Sequence, residues 1–242
     1  MVMERIHLFD KDIPAIGLHC RTSTQGEEFD LVKEFIEYYS TKFLRDNKVN
    51  NLAIFIEPHI VSGFPDIVFA SYSPAIMDNW NQSRKGLTTI ELKILSYLLM
   101  NAGVSGDRII STLKMPARQT LISLEKLLDA DLITRKNKVW SPNKKSRIYS
   151  ISKLISVEAK TTNMNKVVDQ SFINTWFASH SYALTNTMSP QVGTIKKFSD
   201  NGIGLYCKSK AFKKVIEAKK FPLPSSYLSL QFNEWIGNFL AS

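Results

Sequence analysis

Three side chains on two apolar segments could do chemistry together. Asp66 opens Pro65-Asp66-Ile67-Val68-Phe69-Ala70, and Glu158 and Lys160 close Leu154-Ile155-Ser156-Val157-Glu158-Ala159-Lys160. Both segments are short apolar runs that read as strands. In a strand, residues i and i+2 share a face. Glu158 and Lys160 therefore project together, while Val157 and Ala159 face the other way. An Asp from a neighbouring strand completes a set of two carboxylates and one amine. Two carboxylates can hold a hard divalent cation such as Mg2+, or Mn2+ in its place, through oxygen ligands. The amine can orient or deprotonate a water, or stabilise a charged phosphate. That is equipment for metal-assisted hydrolysis of a phosphodiester.

The strand context separates this Glu-x-Lys from two others. Glu91-Leu92-Lys93 and Glu217-Ala218-Lys219 fall in segments that read as helices. There, positions i and i+2 diverge by about 200° and cannot share a metal. Elements on either side must bring the three residues together. Before Asp66, Gly26 to Leu44 reads as a helix and Asn51 to Glu57 as a strand. That helix has an apolar stripe of Phe29, Val32, Ile36, Tyr39 and Phe43, with Phe35 near its edge, and Glu28 falls close to the stripe. A carboxylate on the inward side needs a partner. After Lys160, Met164 to Ala178 reads as a helix, then Ser181 to Thr185 and Ile203 to Cys207 as strands. Lys208 to Lys220 reads as a basic helix, and Ser226 to Leu240 as an amphipathic one.

The charge pattern divides the chain. Its 31 Lys and Arg oppose 22 Asp and Glu, a formal +9. Thirteen of the bases, against five acids, lie between Arg84 and Ile148. An excess of this size favours polyanionic partners, nucleic acid first. No run approaches the ~18 apolar residues of a membrane span, and the N-terminus lacks a signal-peptide pattern. Cys20 and Cys207 read as reduced thiols, and the expected location is cytoplasmic.

Within the basic block, Thr88-Thr89-Ile90-Glu91 is a capping box. Three helices are predicted, from Thr88 to about Ala102, Ser105 to Leu113, and Pro116 to about Asp129, the last with Leu121, Leu124, Leu127 and Leu128 inward. Two short strands flank Lys136-Asn137. Three helices followed by a basic hairpin resemble the winged helix-turn-helix domains over Leu87 to Arg147. The resemblance implies that the third helix enters a major groove, with Arg118, Gln119, Thr120 and Ser123 as groove readers. It implies phosphate contacts from Arg135, Lys136, Lys138, Lys144, Lys145 and Arg147. Such domains also dock proteins, so a protein partner stays open.

With that block set aside, the ordered pattern Pro-Asp then Glu-x-Lys resembles the PD-(D/E)XK, or restriction endonuclease-like, nuclease superfamily. The expected fold class is α/β, a mixed central sheet flanked by helices and interrupted by a winged helix. Expected boundaries are 1–84 and 151–242 for the two halves of the nuclease-like domain, with 85–150 inserted. The resemblance implies that Asp66, Glu158, Lys160, Glu28 and Gln170 are catalytic, and that Asp66, Glu158 and Glu28 bind the metal. Glu57 competes with Glu28 as the third acid. Expected partners are double-stranded DNA and a second copy or a larger protein complex, with no membrane. The alternatives are a DNA-binding regulator without catalysis and a nuclease subunit of a larger defence or transposition machine.

Overall fold

In the computed structural model, residues 5–22, 25–101, 103–162, 164–187 and 190–242 are described. They form two units. The first takes the chain up to Pro74 and again Ile151–Leu223, and the second takes Ala75–Ser150 and Pro224–Ser242. In chain order the first unit supplies β1 (Ile6–Phe9), α1 (Glu27–Asp46), β2 (Asn51–Ile56) and β3 (Ile67–Tyr72). The second follows with α2 (Thr89–Met100), β4 (Val104–Ser105), α3 (Gly106–Leu113), α4 (Ala117–Asp129), β5 (Ile133–Lys136), β6 (Val139–Pro142) and α5 (Lys145–Ile148). The chain returns to the first with β7 (Ile151–Ala159), α6 (Met164–Asn174), β8 (His180–Thr185), α7 (Val192–Asp200), β9 (Gly204–Lys208) and β10 (Phe212–Ile216), and α8 (Tyr227–Leu240) belongs to the second.

The first unit is a mixed sheet of seven strands in the order β1-β2-β3-β7-β8-β9-β10. Strands β2 and β7 each pair antiparallel with β3, while β7, β8 and β9 run parallel. Alternation sorts the side chains onto two faces. Ile155, Val157, Tyr182 and Tyr206 pack with Leu31, Val32 and Phe35 of α1. Ala183, Leu205 and Cys207 pack with Val167 and Val168 of α6 and Phe198 of α7. The α1 stripe is centred further round than the spacing predicts. Phe35 is buried at its middle, with edge-on contacts to Tyr206 and Phe212, while Phe29 is only half-buried. One backbone approach in this sheet needs glycine. A Cβ at Gly204 would lie 2.2 Å from the Tyr182 ring and 2.8 Å from the Ala218 nitrogen. Gly204→Ala is expected to destabilise the unit by about 1–3 kcal/mol, read as a lower urea midpoint.

Three expectations for this unit change. Lys208 to Lys220 is not a helix. Its middle is β10, antiparallel to β9, and the segment Glu217-Ala218-Lys219 follows that strand. β-Branched Val215 and Ile216 suit a strand, and the edge of β9 offers pairing that outweighs the helix propensity of the lysines. Strand β1, parallel to β2, and helix α7 had no counterpart in the sequence reading. The segment 224–242, expected to close the nuclease-like half, belongs to the second unit.

In the second unit the capping box forms. The Thr88 N–H donates to Glu91 Oε2 at 2.7 Å, and the Ile90 N–H donates to Thr88 Oγ1 at 3.3 Å. The three-stranded sheet runs β4-β6-β5, so β4 is the third strand. Residues 147–151 end α5 and lead into β7. The two residues between β5 and β6, Asn137 and Lys138, both have positive φ, 49° and 66°, as a two-residue hairpin turn that follows the strand twist requires. Pro116 is the cap of α4 and not part of its first turn. Leu124 and Leu127 are buried, but Leu121 and Leu128, expected inward, are exposed. Helix α8 is anchored by a buried ion pair. Arg84 Nη2 donates to Glu234 Oε1 at 2.5 Å and Nε to Oε2 at 3.0 Å. Arg84 also donates to the Ile148 carbonyl at 3.0 Å, and its guanidinium lies 3.9 Å from the Trp80 ring centre. No helix among the described residues is long and apolar enough to cross a membrane.

Candidate active site

The antiparallel register pairs Ile67 with Val157. Continued by one step, it sets Asp66 opposite Glu158, so two residues far apart in sequence become cross-strand neighbours. The other side of β3 extends likewise, since the Glu57 N–H donates to the Asp66 carbonyl at 3.1 Å. Asp66 Oδ2 accepts the Ala159 N–H at 2.7 Å. Val157 packs towards α1, so Glu158 faces the α6 side. There the Asn174 amide donates to Glu158 Oε1 at 2.7 Å. Glu158 Oε2 is buried and has no hydrogen-bond partner among the described residues. Gln170 Oε1, one helical turn before Asn174, is also buried and unpartnered among them.

Both carboxyls are held above the ordinary range. Burial is the main cause for Asp66, opposed by the Ala159 N–H and the charge of Lys160, and raised further by Glu57 and Glu28. Burial is also the main cause for Glu158, joined by repulsion from Asp66 and opposed by Asn174, Lys160 and Arg21. Repulsion from Asp66 adds to the burial of Glu158, and a cation beside the two carboxylates would relieve it. Lys160 sits beside them. Burial works against its charge, but a hydrogen bond to Glu28 and the charges of Asp66, Glu28 and Glu158 prevail and raise its pKa.

Among the described residues neither Glu28 nor Glu57 joins this pair in a metal-binding group. Glu28, in the first turn of α1, accepts from Lys160 Nζ at 2.6 Å. Glu57 is paired with Arg21, whose own N–H donates to the Glu57 carbonyl at 3.0 Å. Glu57 adopts a left-handed φ of 45°. Among the described residues no group of three or more His, Cys, Asp or Glu converges as a metal cage. The donor set fits a hard cation in a leaner form, with oxygen from Asp66 and the orphaned oxygen of Glu158. Mg2+ is commonly bound by one or two carboxylates with water and phosphate completing the shell.

Two residues here were missed by the sequence reading. Asn174 lies four positions after Gln170, and so on the same helix face. That spacing was the available signal. Arg21 lies in an irregular segment whose pairing to Glu57 has no sequence signature. Asn174→Ala removes a bond that favours the charged form of Glu158. If hydrolysis needs ionised Glu158, the rise of activity with pH is expected to move to higher pH, and the rate at neutral pH to fall about tenfold or more. A pH–rate profile reads both.

The expected nucleic-acid contacts are only partly accessible. Arg118 and Gln119 are exposed on α4. Thr120 and Ser123 are buried and cannot read bases. The Thr120 hydroxyl donates to the Pro116 carbonyl at 3.1 Å, and that of Ser123 to Glu91 Oε1 at 2.7 Å. Small polar residues on a helix ordinarily face water, but here Glu91 on α2 supplies Ser123 with a buried acceptor and the helix's own backbone supplies Thr120. Arg135 lies 4.9 Å from the Trp140 ring centre, and Lys136, Lys138, Lys144 and Lys145 are exposed. Arg147 is engaged with Asp131 at 3.1 Å and with the Asn79 side chain at 3.3 Å, so a phosphate would have to displace a carboxylate there. No protein-family model matches the chain, and no curated protein or solved structure matches it.

Proposed function

We propose that the first unit is a metal-dependent phosphodiesterase acting on DNA, in the manner of the nucleases its motif resembles. One observation carries the reading. Asp66 and Glu158 stand opposite each other on adjacent strands, both held above their ordinary range, with one Glu158 oxygen buried and unpartnered among the described residues and Lys160 two residues on. Asp66 and Glu158 would hold Mg2+ or Mn2+. When bound, such a cation neutralises phosphate charge and makes water a better nucleophile. Asn174 and the Ala159 N–H fix the two carboxylates in orientation. Lys160, kept charged, is placed to donate to a phosphate oxygen or an attacking water, and Glu28 holds its ammonium in place. Gln170 offers a buried acceptor on the same helix face as Asn174.

The second unit resembles a winged helix in its helix order and antiparallel hairpin, and we read it as the DNA-delivering module. The exposed Arg118, Lys136, Lys138 and Lys144 support this. A second reading has one specific observation in its favour. Leu121 and Ile122 are about half exposed on α4, at 50% and 46%, which suits a protein partner better than base edges. Two measurements separate the readings. Supercoiled plasmid should be nicked with Mg2+ and left intact with EDTA. Affinity of the Lys136→Ala/Lys138→Ala variant for duplex DNA should fall and lose part of its salt dependence. Nicking by wild type that EDTA does not affect would remove the metal-dependent reading.

A further inference from the structure

The α1 face of the sheet carries a second constellation, on the opposite side from Glu158. A cavity of about 340 Å3 opens there beneath the C-terminal half of α1. This is within the range of ~300–1,000 Å3 typical of small-ligand sites. Its walls are aromatic. Tyr39 and Phe69 lie 4.3 Å apart between ring centres, and Tyr182 and Tyr206 lie 5.0 Å apart. Such rings present faces and edges to a planar guest.

The polar part of the lining is cationic. Lys42, Lys153 and Lys214 line the cavity against one acid, Asp46. Asp46 pairs with Lys42, and Glu217 pairs with Lys214 and accepts from the Tyr182 hydroxyl. Lys153 is different. It stands in β7, the middle strand of the sheet, opposite Ser71, and has no ion pair or side-chain hydrogen bond among the described residues. Burial lowers its affinity for a proton, Lys214, Lys220 and Lys42 act in the same direction, and Glu217 opposes them. Lys153 is half-buried on a central strand beside several amines and one carboxylate, Glu217, which Lys214 already engages, and a further anion would offset the remaining repulsion.

We propose that this cavity binds a nucleoside monophosphate, with the base among the tyrosine and phenylalanine rings and the phosphate against Lys153. The aromatic walls call for a planar group, the lysines call for an anion, and the volume calls for one unit and not a polymer. This site is separate from the proposed hydrolytic one, because Val157 lines the cavity while its neighbour Glu158 faces the other side of the sheet.

Titration calorimetry with dAMP, dGMP, dCMP and dTMP in EDTA tests the proposal, since the hydrolytic site is idle there. At least one nucleotide should bind saturably with a Kd below about 1 mM. The parent nucleoside and inorganic phosphate should each bind at least about tenfold more weakly. Lys153→Met, which keeps the apolar stem, should weaken nucleotide binding about tenfold or more, while Asp66→Ala should leave it unchanged. Should Lys153→Met not fold, NMR on the wild type decides, because nucleotide should shift the ring resonances of Tyr39, Tyr182 and Tyr206. No saturable binding by any of the four, equal binding by Lys153→Met, phosphate binding as tightly as nucleotide, or unmoved tyrosine rings would each overturn the proposal. Loss of binding in Asp66→Ala would also overturn it, by placing the nucleotide at the other site.

Discussion

Asp66→Asn and Glu158→Gln are each expected to lower Mg2+-dependent plasmid nicking about a thousandfold or more, and at the same time to make the first unit harder to unfold. The two outcomes have one cause. A carboxylate that is buried and faces another carboxylate costs folding energy, which a bound cation recovers. An amide keeps the volume, and an Asn at 66 can still accept the Ala159 N–H. The pH dependence follows from the direction of the shifts. Asp66 is pushed up to about 6 and Glu158 to about 8, from ordinary values near 4. Between roughly pH 4 and pH 8 the folded chain therefore holds more protons than the unfolded one. Stability falls as pH rises through that window, and the penalty is complete above it. Urea midpoints of wild type in EDTA should decline from pH 5 to pH 8.5, and those of Glu158→Gln should decline less. Added Mg2+ should restore the wild type most at the alkaline end. A variant that still nicks at the wild-type rate would end the hydrolytic reading. A Glu158→Gln protein less stable than wild type at pH 8.5 would end the argument from buried charge.

Glu234→Ala is expected to cost the second unit about 3–5 kcal/mol. It would leave the Arg84 guanidinium buried beneath α8 with only backbone carbonyls and the Trp80 ring for company. Most of that loss is the cost of an unpaired charge and not the worth of the pair. The double variant Arg84→Met/Glu234→Leu should therefore recover most of the stability. Hydrogen exchange in α8 and a urea transition measured for each variant separate these terms. If the double variant is as unstable as the single one, the pair contributes by geometry that apolar packing cannot replace. A nearby contact makes the region intolerant in another way, since a Cβ on Gly237 would lie 2.0 Å from the Trp80 ring.

The sequence made the strands of the candidate site legible because their signals are local. Asp66 and Glu158 sit at the ends of apolar runs, and alternation alone assigns Glu158 its face. The α2 capping box was legible for the same reason, since both partners lie within four residues. What could not be read was whatever depends on a distant partner. Ser123 looked like a surface hydroxyl until Glu91 came to meet it. Lys208 to Lys220 looked helical until β9 offered an edge. Glu28 looked like a ligand, and it meets Lys160 first. The final helix looked like part of the nuclease-like half, because amphipathicity says that a face is covered and not by what. Its address was written in Arg84, at a sequence separation of 150.

The interleaving of the two units has a consequence for biosynthesis. A nascent chain leaves the ribosome from its N-terminus, so Asp66 emerges well before Ala159, whose amide lies 93 positions downstream. Until β7 is made, β3 lacks a neighbour on that side, and the pair of acids cannot exist. The second unit is translated in the interval, yet it must wait for α8 to neutralise Arg84. The first unit is whole only once Leu223 is made, and the second only after Glu234, so a chain stalled between Arg84 and β7 would hold Asp66 without its partner strand and Arg84 without its counter-ion.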